Sequence, residues 1–393
     1  MFTHLKRRLG VLAAVAVLGA LVPVMSSSPA SAAPATIAVT ALTLSDGATF
    51  KACPTSAAVP SAGFTDTTDT AVDCLKYYGI TQGTTATTFD PTGSVTRWQM
   101  ALFITRALDK ANVALPTGAD QGFTDISGKA ADIQLAINQL RQMEITIGKT
   151  LTPLTYAPDQ YVTREEMALF LQRLLKAVPA GPGGNVELVS ANGTATEIKS
   201  VDTDHNFTDI NTVSIMDMQN AIINLWNLGV TEVATATLYE PSVNISRLNM
   251  AQMMARALDH TNARPAGLSI VASRYTSAST GLTISVTHRT ADFLPVVGSL
   301  VDTFRYLQTT TFGYSEFSSD GSCAQVVVTE VSSTLCYIDT SEKVTDNYGN
   351  ITPFISGVAA GSVWEYYVWT ASAGTTYDND VHGTGTVMIT VRG

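Results

Sequence analysis

The hydrophobic positions in the middle of the chain form one recurring helical stripe. Counting from Arg97, Arg164 and Arg247, apolar residues stand at offsets 3, 6, 7, 10 and 11. They are Met100, Phe103, Ile104, Ala107 and Leu108, then Met167, Phe170, Leu171, Leu174 and Leu175, then Met250, Met253, Met254, Ala257 and Leu258. That spacing is the buried face of an amphipathic helix, so it predicts three equivalent core helices. An upstream helix is predicted in each copy by Val72, Leu75 and Tyr78, by Ile133, Ile137 and Leu140, and by Ile222, Leu225 and Trp226. Beyond "NARPAG" (262–267) the pattern changes to short alternating runs: "LSIVAS" (268–273), "LTISVTH" (282–288), "AQVVVTE" (324–330), "VWEYYVWTA" (363–371) and "TVMITVR" (386–392). Gly, Asp and Asn turns separate them. Residues 265–393 are therefore expected to form an antiparallel, immunoglobulin-like β-sandwich with "VWEYYVW" as a core strand.

The polar positions repeat as well. "FTD" (64–66) and "FTDI" (123–126 and 207–210) each open a copy. Turns follow at "YYGITQG" (77–83), "MEITIG" (143–148) and "NLGVTE" (227–232). Then come "FDPTGSVTR" (89–97), "YAPDQYVTR" (156–164) and "YEPSVNISR" (239–247), with an aromatic two residues before a proline and the proline six before the arginine. Asp66, Asp125 and Asp209 are read as capping the helices they precede. Phe64, Phe123 and Phe207 are read as packing back over those helices. Gly79 and Gly229 suit left-handed helix ends, where the second copy instead has Glu144. Thr96 with Gln99 is a capping box.

These units resemble the S-layer homology (SLH) repeat. The F-x-D opening, the G-[IV] turn, the aromatic-x-Pro step and the T-R-x-E signature carry the resemblance, the last reading here "TRWQ", "TREE" and "SRLN". The match covers 64–260. With the strand pattern beyond residue 264, the expected fold is a multidomain α + β protein, and the resemblance implies the form of its helical part. Its repeats, at 64–112, 123–178 and 207–262, would form a pseudo-threefold helical unit with a shared bundle. Grooves between them would bind secondary cell-wall polysaccharide or another peptidoglycan-linked glycan. The motif arginine would line each groove.

Arg97, Arg164 and Arg247 sit where a helix macrodipole disfavours a cation. A helix N-terminus is also an anion site, and a guanidinium beside it can grip a carboxylate with two hydrogen bonds. The arginines, with Thr96, Thr163 and Ser246, are thus expected to let a ligand carboxylate complete each helix end. The competing expectation is a salt bridge to an acid of a neighbouring repeat. Trp98 is placed either to stack on a sugar or to join the core. Glu165, Asn244 and Asn249 are candidates for hydrogen bonds to sugar hydroxyls.

At the N-terminus, Lys6, Arg7 and Arg8 precede the apolar run "LGVLAAVAVLGALV" (9–22) and the small residues "ASA" (30–32). This reads as a secretory signal peptide over 1–32, followed by an N-terminal segment over 33–63. No later stretch reads as a membrane span. The net charge of −10 argues against nucleic acid and anionic surfaces as partners. In an exported chain, Cys53, Cys74, Cys323 and Cys336 read as two disulfides; three pairings are possible, and Cys53–Cys74 with Cys323–Cys336 fits the domain split. The linker insert at 179–206 is expected to hold a small hairpin, with "VELVS" (186–190) as one strand. Within it "DTDHN" (202–206) begins like a calcium loop but lacks its glycine and final acid. No metal or cofactor is expected. His205, His260, His288 and His382 stand in no nucleophile, zinc or elbow motif, so no catalytic residue is assigned. The expectation is a non-catalytic envelope protein held at the cell surface by its repeats. A self-assembling S-layer subunit, and an adhesin whose β part binds glycans, are the alternatives.

Overall fold

The computed structural model describes residues 35–38, 50–54, 57, 59–179, 181–182, 187–189, 195–199, 207–231, 237–272, 282–308, 314–318, 326–328, 343–351, 354–355, 363–370 and 387–392. The predicted signal peptide, Cys323, Cys336 and the "DTDHN" loop lie outside them. Among the described residues are six α-helices: α1 (Thr70–Tyr77), α2 (Arg97–Lys110), α3 (Ala131–Gln142), α4 (Arg164–Ala177), α5 (Met216–Asn227) and α6 (Arg247–Asp259). The predicted stripes are their buried faces. Met100, Ile104, Leu108, Met167, Leu171, Met250, Met254 and Leu258 are fully buried in one apolar cluster that runs through all three copies.

The helices pair between copies. The second helix of each copy packs on the first helix of the next: α2 on α3, α4 on α5 and, closing the circle, α6 on α1. Backbone hydrogen bonds close a smaller ring. Val162 donates to Val95, Ile245 to Val162 and Val95 to Ile245, at 2.9, 2.9 and 3.2 Å.

The recurring polar positions within the repeats serve this packing, and the sequence reading of the aspartates is corrected. Asp66, Asp125 and Asp209 do not cap helices. Their carboxylates accept two backbone N–H groups each, from Phe89 and Asp90, Tyr156 and Ala157, and Tyr239 and Glu240. The second residue of each pair is left-handed, at φ 60°, 56° and 57°. A non-glycine residue there is strained, and the charge-assisted bond holds it. Phe64, Phe123 and Phe207 set their rings against Phe89, Tyr156 and Tyr239 at 5.8, 5.7 and 5.3 Å, and two of them also meet the helix that follows: Phe207 lies 6.5 Å from the Trp226 ring of α5, and Lys76 of α1 lies over the Phe64 ring at 5.5 Å. Glu144 takes the same left-handed turn as Gly79 and Gly229 (φ 58°, 68° and 69°).

The remaining chain is β. The strands are β1 (Ala35–Ala38), β2 (Thr150–Leu151), β3 (Leu154–Thr155), β4 (Glu187–Val189), β5 (Ala195–Lys199), β6 (Gly267–Ala272), β7 (Leu282–Arg289), β8 (Leu300–Gln308), β9 (Tyr314–Ser318), β10 (Val326–Val328), β11 (Lys343–Val344), β12 (Asn350–Ile351), β13 (Phe354–Ile355), β14 (Val363–Thr370) and β15 (Val387–Arg392). β2–β3 is the longer loop of the second copy, and β4–β5 is the hairpin expected in the insert. One sheet runs β1-β15-β14-β8-β9-β10, with β11 on β8; a second centres on β7, paired with β6, β12 and β13. β6 lies against β14 and β15. Ile270, Ile284, Val286, Val301, Val368, Trp369 and Ile389 are buried there.

Two features differ from a self-contained segment 265–393. β1, from the N-terminal segment, pairs with β15 in parallel, Ala35 opposite Ile389. The junction near residue 264 is also tightly packed. Arg264 and Arg289 are essentially inaccessible and are held by oxygens of both parts. Arg264 donates to the carbonyls of Phe50 and Asp259, both at 3.1 Å. Arg289 donates to Gly349 O at 2.7 Å and to the side chains of Asn262 and Asn350 at 2.9 and 2.7 Å. Phe293 sets its ring against Tyr77 and Tyr78, at 5.2 and 5.0 Å. The Cys53–Cys74 disulfide is formed and pins the N-terminal segment to α1.

Candidate functional site

The three arginines make the same contact, each with the next copy. Arg97 Nε donates to Tyr156 O (2.8 Å), Arg164 Nε to Tyr239 O (2.6 Å) and Arg247 Nε to Phe89 O (2.6 Å). Each guanidinium stacks on the ring of that same aromatic, at 4.8, 4.8 and 4.7 Å. Tyr156 and Tyr239 return a hydroxyl bond to the carbonyls of Arg97 and Arg164, both at 2.9 Å. Phe89 has no hydroxyl to return. Burial raises the pKa of both tyrosines, which keeps them as donors. Three clasps thus link the copies in a circle. Arg97 and Arg247 are buried and Arg164 is partly exposed.

The expectation that a ligand carboxylate completes the helix ends is corrected by these contacts. The first two N–H groups of each helix already have acceptors in the next copy. Arg97 and Trp98 donate to Gln160 and Pro158, Arg164 and Glu165 to Val243 and Pro241, and Arg247 and Leu248 to Gly93 and Pro91. Thr163 and Ser246 cap the third position, accepting from Glu166 and Asn249. At Thr96 the Gln99 side chain accepts the Thr96 N–H. A cation is tolerated in the first turn because its charge faces a carbonyl and a ring rather than the helix end. Among the described residues, the salt bridge expected as the alternative occurs once: Arg97 Nη1 lies 3.4 Å from Glu166 Oε1.

Solvent reaches the Arg97 clasp through a groove. A cavity of about 300 Å³ opens between the second copy and the start of α5, lined by Arg97, Lys149, Glu166, Phe170, Arg173 and Asp217 among others. Arg97 forms its buried floor. Glu166 Oε1 is shared by Arg97 and, at 2.5 Å, by Lys149, whose side chain is 43% exposed. Arg173 donates to Ile145 O at 3.1 Å, and its pKa is lowered by burial and raised by Asp217. Three cations against two acids leave local positive charge in an acidic chain.

The other predicted residues are placed less directly. Trp98 is partly buried against the core. Glu165 is partly exposed, with burial raising its pKa and Glu166 adding to the rise. Asn244 and Asn249 are exposed. Lys149 was not singled out by sequence, nor was a second arginine at offset 9 of every copy. Arg106, Arg173 and Arg256 donate to the turn carbonyls of Ile80, Ile145 and Val230. Their recurrence at one offset was a readable signal. Among the described residues no cluster of His, Cys, Asp and Glu is placed to hold a metal ion, and no helix is long and apolar enough to cross a membrane. No family model matches this chain, and no curated protein does either.

Proposed function

We propose that the chain is a non-catalytic envelope protein of the SLH type. Its three copies act as one glycan-binding unit that holds it to cell-wall polysaccharide, and its β part is carried as a sandwich on that unit. The cavity floored by Arg97 is the observation that carries this reading. Its size falls within the range of small-ligand sites. Its outer cation, Lys149, is exposed, and its inner guanidinium is fixed by a ring, a carbonyl and a carboxylate. Such a site suits a saccharide bearing a carboxylate: Lys149 meets the charge at the mouth, and the turn residues Thr146 and Gly148 flank the ring. The cyclic pairing of copies supports a single binding unit, since this groove draws its lining from all three: Arg97 from the first, Lys149 and Glu166 from the second and Asp217 from the third.

The test is co-sedimentation of residues 33–393 with purified sacculi of the producing organism, before and after removal of the secondary polymer. Binding that disappears with the polymer is expected. Equal binding to stripped and intact sacculi, or none to either, contradicts the reading.

A further inference from the structure

A second cavity, about 500 Å³ and open, lies between α2 and α3, and one of its walls comes from the β part. That wall is Phe293. Its φ is 67°, an uncommon conformation for a bulky residue. The turn is fixed by its N–H bond to Thr290 O at 3.0 Å and by edge-on packing against Tyr77, whose hydroxyl accepts the Ala266 N–H at 3.0 Å. The strained loop therefore presents an aromatic ring at a set position over the helices. Lys110 Nζ lies 5.4 Å from that ring's centre and 3.0 Å from Asp109. Arg106 is tied to Ile80 O and faces Asp132. Lys76 also lines the cavity. Arg106 and Lys110 are thus matched by acids; Lys76, whose Nζ donates to Gln82 O at 3.4 Å and lies 5.5 Å from the Phe64 ring centre, has no ion pair among the described residues.

We infer that this cavity is a composite saccharide site: Phe293 and Tyr77 offer the apolar face for a sugar ring, and Lys110 with Lys76 takes an anionic substituent. The inference rests on the wall-binding reading and adds that the β part is one wall of a binding groove. It would make the β part a determinant of which glycan is held, because a groove without Phe293 has no lid over its aromatic floor.

The test is calorimetric titration of residues 33–393 with the glycan fraction released from sacculi by muramidase, and with the same fraction after its carboxylates are reduced. Lys110→Gln and Phe293→Ala should each weaken one class of site by about tenfold, the scale of a lost charge-assisted or stacking contact. Phe293→Tyr should retain binding. Because Phe293→Ala also removes packing at the junction, Lys110→Gln carries the decision, with an unchanged melting temperature. With the reduced glycan, Lys110→Gln should bind like the wild type. If the wild type binds the native fraction and Lys110→Gln and Phe293→Ala bind equally tightly, the composite site is wrong while the wall reading stands. If the wild type binds neither fraction, both fall.

Discussion

At Phe89 one missing oxygen distinguishes a clasp from its two counterparts. Tyr156 and Tyr239 return a hydroxyl bond to the arginine that stacks on them, and Phe89 does not. Phe89→Tyr should therefore add a third return bond, to Arg247 O, and raise stability by about 1 kcal/mol, the net value of an intramolecular hydrogen bond. A lower melting temperature in urea or heat would show that the three clasps are not equivalent. Asp66 gives a pH test. Its folded pKa is lowered, first by the Phe89 N–H bond, so its contribution is complete above the usual carboxylate pKa and fades as pH falls through the lowered folded value. Asp66→Asn should be less stable than wild type at neutral pH, and urea melts should show the gap narrowing towards pH 3. The importance of the motif arginine was legible from its recurrence. Its partners were not, because carbonyl oxygens of the next copy leave no mark in residue identity.

The helices were the most legible elements, because the apolar offsets of α2, α4 and α6 are set by helix geometry and every one of those positions is buried or nearly so. What periodicity could not give was pairing. A stripe says that a face is buried, and it was the structure that put α1 against α6 rather than against its own neighbour α2. Residues 64–112 alone should therefore lack a cooperative melt by circular dichroism, since both of their helices would lose their principal partners. A sharp transition in that fragment would break the cyclic model. At the end of α3, Glu144 keeps a left-handed turn that glycine fills in the other copies. Glu144→Gly should stabilise the protein by about 1 kcal/mol by relieving that strain; a lower melting temperature would mean that the side chain carries a contact worth more.

On the scale of the whole molecule, the change of pattern at "NARPAG" correctly marked where helix gives way to strand. It did not reveal the contacts that cross that boundary. β1 is too short to announce itself, and its partner β15 lies at the other end of the chain. Arg264 and Arg289 look like ordinary surface cations in sequence, yet both are sealed in the junction by oxygens drawn from Phe50, Asn262, Gly349 and Asn350. The cavities were not legible either, because Lys149 and Phe293 belong to turns outside the repeated signature. In the proposed function the labour is divided: the motif arginines hold the copies together, and side chains at the groove mouths would hold the glycan. The direct measurement is sacculus affinity and melting temperature on the same two variants, Lys149→Gln and Arg247→Ala. The account predicts that Lys149→Gln loses about tenfold in affinity, the scale of one charged contact, with unchanged melting. It predicts that Arg247→Ala is destabilised by about 2–3 kcal/mol and so melts earlier, having left a buried carbonyl and ring unpaired, and binds normally below its transition. An Arg247→Ala protein that melts like the wild type and no longer binds, beside a Lys149→Gln protein that binds fully, would contradict it.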